Sequence, residues 1–335
     1  MESKAYEYMD WPRIEAIVYG EEASPKDVMA PRLTTDGVLV QGFFPEADKA
    51  EVLVGSRKYE MEKEDEAGYF AAMIPGRKIP EYEYRVTRGE EVQEFSDPYA
   101  FAGQITEAEE KAFCAGVYYH AYEKLGAHPM EINGVKGTSF AVWAPNAVRV
   151  SVVGNFNEWD GRRHAMHRMP MSGIFELFIP GVKVGDIYKY ELKLKGNRIE
   201  LKSDPYAACT EIPPAGASVV ADTGAFQWED EEWMAGRKKF ADRKQPVSIY
   251  ETSLTDWKDG EELVEFVKKL NYTHVELHPV MEYLDDEAGE YSTFAYYAPT
   301  RRFGMPQDFQ KTVNELHKAG IGLILDCTPS HFPRI

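Results

Sequence analysis

The pentapeptide SDPYA stands at Ser96–Ala100 and again at Ser203–Ala207. The residues upstream of each copy match as well. GVLVQGFFPEADKAEVLV opens at Gly37 and GTSFAVWAPNAVRVSVVG at Gly137, so that Pro45 faces Pro145 and Ala47 faces Ala147 at an offset of 100. Ile74-Pro75-Gly76 then aligns with Ile179-Pro180-Gly181 at an offset of 105, Tyr84 with Tyr190 at 106, and the two pentapeptides at 107. An offset that drifts only in the gaps between apolar runs is what loop insertions leave in a duplicated module.

Each repeat reads as strands. Phe140 and Val142, then Val148, Val150 and Val152, alternate with smaller or polar residues. GIFELFI (Gly173–Ile179) and IYKYELKL (Ile187–Leu194) carry the two-residue period with β-branched and aromatic side chains. The pattern predicts two small antiparallel β-sandwiches, each closed by its Asp-Pro, since proline supplies no ladder donor and aspartate favours turns. Between them, Thr106 and Glu109 fit a capping box for a helix through Ala112.

With 44% apolar and 13% aromatic residues, the 335-residue chain has ample material for the packed cores of two to three domains. Its net charge of −18 argues against nucleic acid or an anionic membrane as main partner, because both select basic surfaces. An uncharged ligand fits better. Cys114, Cys209 and Cys327 show neither disulfide nor metal spacing and read as reduced thiols of a cytoplasmic protein. MESKAYEYMDWPR lacks the basic-then-apolar order of a signal peptide, and no later run approaches the ~18 apolar residues of a membrane span.

After the second pentapeptide, Ala208–Lys244 reads as an irregular link containing the charged stretch WEDEEWMAGRKKF. From Pro246 the order becomes strand (VSIYET), helix (Glu261–Leu270), strand (THVEL), helix (Pro306–Lys318), strand (GLILD). Leu263, Val267 and Leu270 share one face of the first helix, and Phe309, Val313 and Leu316 one face of the second, so each suits the cover of a parallel sheet. Pro306 fits a first helical turn and Gly320 a C-terminal cap. Periodicity leaves open whether βαβαβ belongs to a doubly wound sheet or a barrel.

The residues themselves resemble a known family. SIYETSLTDW (Ser248–Trp257), THVELHPVMEY (Thr273–Tyr283), YYAPTRRFGMPQDF (Tyr296–Phe309) and AGIGLILDCTPSHFPR (Ala319–Arg334) are similar to the opening of the catalytic barrel of bacterial glycogen branching enzymes, in the α-amylase superfamily. YEKLGAHP (Tyr122–Pro129), FAVWAPNAVRVSVVGNFNEWDGRRH (Phe140–His164) and KSDPYA (Lys202–Ala207) resemble the family-48 carbohydrate-binding module that precedes that barrel. The resemblance implies two all-β, immunoglobulin-like sandwiches, at 1–105 and 106–210. A linker at 211–245 and an incomplete α/β (TIM) barrel at 246–335, comprising its first three βα steps, would follow.

It also implies an α-1,4-glucan such as glycogen or amylose as partner, no cofactor, and the making of α-1,6 branches through a covalent glycosyl-enzyme intermediate. That retaining chemistry needs a carboxylate nucleophile and a carboxylic acid/base about 5 Å apart. In the family these follow the fourth and fifth barrel strands. Pro246 to Ile335 spans 90 residues, against about 250 for a whole barrel, and Glu251, Glu276 and Asp326 match neither group. No catalytic residue is therefore assigned.

What the resemblance carries over is part of a donor-sugar pocket: Asp326 and His331 as groups that orient a sugar, and Tyr291 as the tyrosine that stacks beneath it. This chain departs from the family at Gly289-Glu290 before that tyrosine, at Ser292-Thr293-Phe294 after it, and at Cys327 where tryptophan is usual. The alternative is that Tyr291 and His331 are ordinary loop residues of a decayed site. His274, Glu276 and His278 alternate along one strand and invite a metal reading, but the same strand in the family holds no metal, and none is expected here. Trp159, in GNFNEWDG, is either a stacking platform for a pyranose or a plug for the end of the sandwich.

Two other readings compete with the enzyme. One is a non-catalytic glucan-binding scaffold, and the other a debranching or trehalose-releasing hydrolase. Lacking the reacting carboxylates, the 335-residue chain alone should form no new α-1,6 linkages in amylose above a heat-killed control. Linkage analysis by methylation or debranching checks this, and new branches would refute the assignment.

Overall fold

Val38, Val40, Val52 and Val86 are completely buried in one core of the first repeat, where two sheets close on each other. The computed structural model describes residues 4–239, 245–284 and 289–330, in two compact units, 1–203 and 204–335. The first repeat folds as β1 (Arg32–Leu33), β2 (Val38–Phe43), β3 (Lys49–Val54), β4 (Arg57–Glu60), β5 (Glu62–Asp65), β6 (Tyr69–Ile74), β7 (Glu83–Arg88) and β8 (Glu91–Ser96). Its sheets run β1-β2-β6-β5 and β4-β3-β7-β8, antiparallel throughout. The second repeat folds as β9 (Gly126–Ile132), β10 (Val135–Trp143), β11 (Arg149–Gly154), β12 (His167–Arg168), β13 (Ile174–Pro180), β14 (Ile187–Leu194) and β15 (Arg198–Lys202). Its sheets are β12-β13-β10-β9 and β11-β14-β15.

The duplication extends to register. Val38 pairs with Ile74 as Thr138 pairs with Ile179, and Val52 with Tyr84 as Val152 with Tyr190. Tyr84 Oη donates to the Gln41 carbonyl at 2.8 Å, and Tyr190 Oη to the Ala141 carbonyl at 3.5 Å. Each sandwich also turns one corner on a glycine. Gly68 (φ +108°) and Gly173 (φ +73°) accept from Phe44 N–H and Ala144 N–H. A Cβ on Gly68 would lie 2.4 Å from the Phe44 carbonyl oxygen, so the left-handed backbone and the close approach both require glycine.

Alternation in the sequence predicts strands with one wet face. Instead β2 and β11 are buried at every residue, and β13 at all but Pro180. The outer faces are covered from within the same unit. Helices α1 (Trp11–Val18) and α2 (Lys26–Met29) precede the first repeat, and α3 (Glu107–Cys114) joins it to the second behind the expected Thr106–Glu109 capping box. Gln41 donates to the Val28 carbonyl of α2 at 2.7 Å, and Glu176 on β13 accepts from the N–H groups of Gln104 and Ile105. Strands covered on both sides carry fewer polar positions than a half-solvated sheet.

In the second unit the elements are β16 (Ser218–Val219), α4 (Glu231–Gly236), β17 (Ile249–Thr252), α5 (Gly260–Lys269), β18 (His274–Leu277), β19 (Met281–Tyr283), β20 (Thr293–Pro299), α6 (Pro306–Lys318) and β21 (Gly322–Leu325). β17, β18 and β21 form a parallel sheet in that order. The β19–β20 hairpin has no counterpart in the sequence reading. Leu263, Val267 and Leu316 are fully buried beneath the helices, but Leu270 lies just beyond α5 and is exposed. The stretch read as an irregular link carries α4 and packs on α6. Asn314 Oδ1 accepts from Glu229 N–H at 2.8 Å, His317 Nδ1 lies 2.7 Å from Asp230, and the rings of Trp233 and His317 stack. Leu325 and Ile249, on the two edge strands, are 46% and 43% exposed, as an open parallel sheet requires.

Buried Asp97 and partly buried His164 give the first unit opposed responses to acid. Burial pushes the Asp97 carboxyl up to about 6, so its stabilising protonation is complete below about pH 4 and lost as pH rises through 6. Burial pushes His164 down to about 4, so its contribution is present above about pH 6.5 and lost as pH falls through 4. Each shift corresponds to about 3 kcal/mol, and the two nearly cancel. From pH 7 to 4, His164→Gln should therefore gain about 3 kcal/mol relative to the parent and Asp97→Asn should lose a similar amount. Urea unfolding at each pH measures both, and slopes of the same sign would refute the assignment.

Candidate functional site

The loop from Asn155 to His164 is built around one amide. Asn157 Oδ1 accepts from Gly154 N–H at 2.9 Å, while its Nδ2 donates to the Val152 carbonyl and to His164 Nδ1, both at 2.8 Å. His164 is thus a neutral acceptor at Nδ1, in keeping with its depressed pKa. Glu158 and Trp159 follow with φ of +57° and +60°. Two successive non-glycine residues in the left-handed region are costly, and such backbone collects at functional sites. The Trp159 indole is half-buried, with Nε1–H donating to Asn155 Oδ1 at 2.9 Å. Burial works against ionisation of Asp160, yet hydrogen bonds from Arg162 keep its carboxyl below the usual range. At the corresponding place in the first repeat, GSRKYEME forms β4 and the start of β5, and no such loop exists.

In the second unit, polar groups gather at the C-terminal ends of the three parallel strands. Tyr291, 44% exposed, donates its hydroxyl to Asp326 Oδ2 at 2.9 Å, just beyond β21. His278, directly after β18, lies between Glu251 of β17 and Glu290, with both contacts at 3.3 Å. Ser253 Oγ also donates to Glu290. Strand ends of this kind are where α/β sheets hold ligands.

The structure therefore brings Tyr291 and Asp326 together. Trp159 belongs to the other unit, and His331 lies outside the described residues. His274 and His278 stand four residues apart on an extended strand, about 13 Å, so they cannot share one ion. Among the described residues no group of three His, Cys, Asp or Glu side chains, the Glu251–His278–Glu290 contact included, is arranged to hold a metal ion. What the sequence reading missed is that Glu290, a departure from the family pattern, contacts His278 at the strand ends.

Asp326 leaves a mark on Tyr291: the hydrogen bond, with lesser burial and the nearby carboxylates, raises the phenol above its ordinary value. Asp326→Asn should bring Tyr291 back toward the normal tyrosine range. Titration of 13C-labelled tyrosine, with Tyr291 assigned by its phenylalanine variant, measures the change; an unmoved Tyr291 would show that the two side chains do not interact in solution.

Residues 10–99 match the family described as alpha-1,4-glucan branching enzyme GlgB, N-terminal domain, and residues 124–207 match carbohydrate-binding module 48 (isoamylase N-terminal domain). The chain is 42% identical over 342 residues to the 1,4-alpha-glucan branching enzyme GlgB of Cereibacter sphaeroides, covering 99% of this chain and 47% of that protein. It is 40% identical to its namesake in Cellvibrio japonicus, over 91% of this chain and 44% of that one. With the enzyme of Rubrobacter xylanophilus the identity is 41%, over 96% and 46%. The chain spans about half the length of the curated relatives it matches. Both domain matches and the near-complete alignments make this chain similar, over nearly its whole length, to the N-terminal half of 1,4-alpha-glucan branching enzymes, with residues 10–99 belonging to the GlgB N-terminal domain family.

Proposed function

We propose that this chain is the glucan-handling N-terminal part of a cytoplasmic 1,4-alpha-glucan branching enzyme of glycogen synthesis. The whole enzyme would cut an α-1,4-glucan and rejoin the segment to a 6-hydroxyl. In this reading 1–105 and 106–210 are the two modules, 211–245 connects them onward, and 246–335 supplies the first three βα steps of a (β/α)₈ barrel. Tyr291, Asp326 and His331 would border the donor sugar, and Trp159 would bind glucan away from the reacting centre.

The observation that carries glucan handling is the Trp159 loop. A left-handed backbone pair, a framing asparagine and an indole hydrogen bond hold one flat ring in place, so stacking on the apolar face of a pyranose costs little side-chain entropy. The net charge of −18 suits a neutral polymer, and the parallel order β17-β18-β21 with Tyr291 beside Asp326 supports the barrel reading.

Loss of a stacking ring should cost on the order of 1 kcal/mol, about five-fold in affinity. In native gels containing glycogen, the parent should be retarded and Trp159→Ala should require about five-fold more glycogen for the same retardation. Equal retardation of two folded proteins would assign Trp159 to structure.

A further inference from the structure

Between the two sandwiches, within the first unit, lies a cavity of about 390 Å³. Its size falls in the range of small-ligand sites. The first repeat contributes Arg88, Gln93 and Phe95, and the second contributes Phe156 and Arg163. These last two belong to the loop that carries Trp159, so a single loop supplies the indole and one wall of the cavity. Asp97 and Tyr99 of the first SDPYA also line it, which gives the repeat a location as well as a fold.

The wall chemistry selects among ligands. Phe95 and Phe156 are only partly buried and offer apolar ring surface. Arg88 holds the Pro45 carbonyl through Nε and Gln93 Oε1 through Nη1. Arg163 bonds Glu158 through Nη2, and its buried Nε–H faces Asp160 Oδ2 at 3.6 Å, beyond hydrogen-bond distance. Burial first, and then the facing charge of Arg163, hold the Arg88 guanidinium below its ordinary value. An anion would answer these two cations, but Glu94 and Asp97 line the same space and Glu158 pairs with Arg163. Donors and acceptors are thus both present beside apolar rings, and a neutral ligand that offers both hydroxyl hydrogens and lone pairs satisfies them together.

We propose that this inter-sandwich cavity is a second glucan subsite, taking an α-1,4-glucan end or short segment, built jointly by the two repeats and sharing its wall with the Trp159 loop. It rests on the glucan reading above. The contact of Arg162 with Glu46 at 3.1 Å also ties this loop to the first repeat, so the first sandwich helps form a sugar site although it lacks the GNFNEWDG loop.

The test uses the 335-residue chain and maltohexaose, followed by NMR of the Trp159 indole N–H, the Gln93 side-chain amide and the Arg88 and Arg163 Nε–H groups. Maltohexaose should shift the cavity signals, and Trp159→Ala should leave those shifts in place. Gln93→Trp, which fills the space, and the milder Arg163→Gln should each abolish or weaken them about three-fold or more while the Trp159 indole still responds. If the indole shifts and the cavity signals do not, the second subsite is refuted and the glucan reading stands. If the cavity responds and the indole does not, the subsite stands and Trp159 loses its role. No response anywhere refutes both, and cavity shifts with inorganic phosphate but not with maltohexaose overturn the neutral-ligand assignment.

Discussion

Asp97 is a carboxylate buried to 2% exposure, and much of the first unit is organised by how its oxygens are satisfied. Tyr82 donates its hydroxyl to Oδ2 at 2.5 Å, Tyr84 shares its one hydroxyl hydrogen between Oδ2 at 3.1 Å and the Gln41 carbonyl at 2.8 Å, and Tyr99 N–H donates to Oδ1 at 2.9 Å. Desolvation alone would make such a group intolerable, and these donors are what make its burial affordable. They also fix geometry. Tyr84 reaches at the same time to the carbonyl of Gln41 on the opposite sheet, and Tyr99, oriented by the turn that Asp97 caps, reaches the carbonyl of Ala165 in the second repeat. One side chain thereby closes a strand, pins one sheet to the other, and sets the contact between sandwiches in which the cavity lies.

The two candidate sites draw on different physics. The Trp159 loop is irregular backbone held by local hydrogen bonds over a rigid β-sandwich, a means of presenting one aromatic face with little motion. The Tyr291–Asp326 group depends on parallel strands whose ends converge from distant parts of the chain. There His278 lies between Glu251 and Glu290, which gives the strand ends an acidic and polar rim.

Much of this was legible in the residues. The in-register duplication, the capping box before α3, α6 with Pro306 at its start, and the three parallel strands all follow from short-range signals: apolar period, capping chemistry and proline geometry. The misses share a cause. α4 lies in a charged stretch without apolar period and gains its place from Trp233 stacking on His317 and from Glu229 meeting Asn314. The β19–β20 hairpin has shifted register at Met281–Tyr283, so no regular alternation announces it.

The sequence by itself determined the repeated sandwich, because that rests on periodicity and on motifs contiguous in the chain, whereas Trp159, Tyr291 and Asp326 entered as candidates through the family resemblance. Only the tertiary structure decided that Tyr291 bonds Asp326, that His278 joins Glu251 to Glu290, and that Arg88 and Arg163 meet across a cavity between the repeats. Those are encounters of side chains 35, 27, 12 and 75 positions apart. Their distances are set by how layers pack, and one-dimensional patterns report which face a residue takes but not what it meets there.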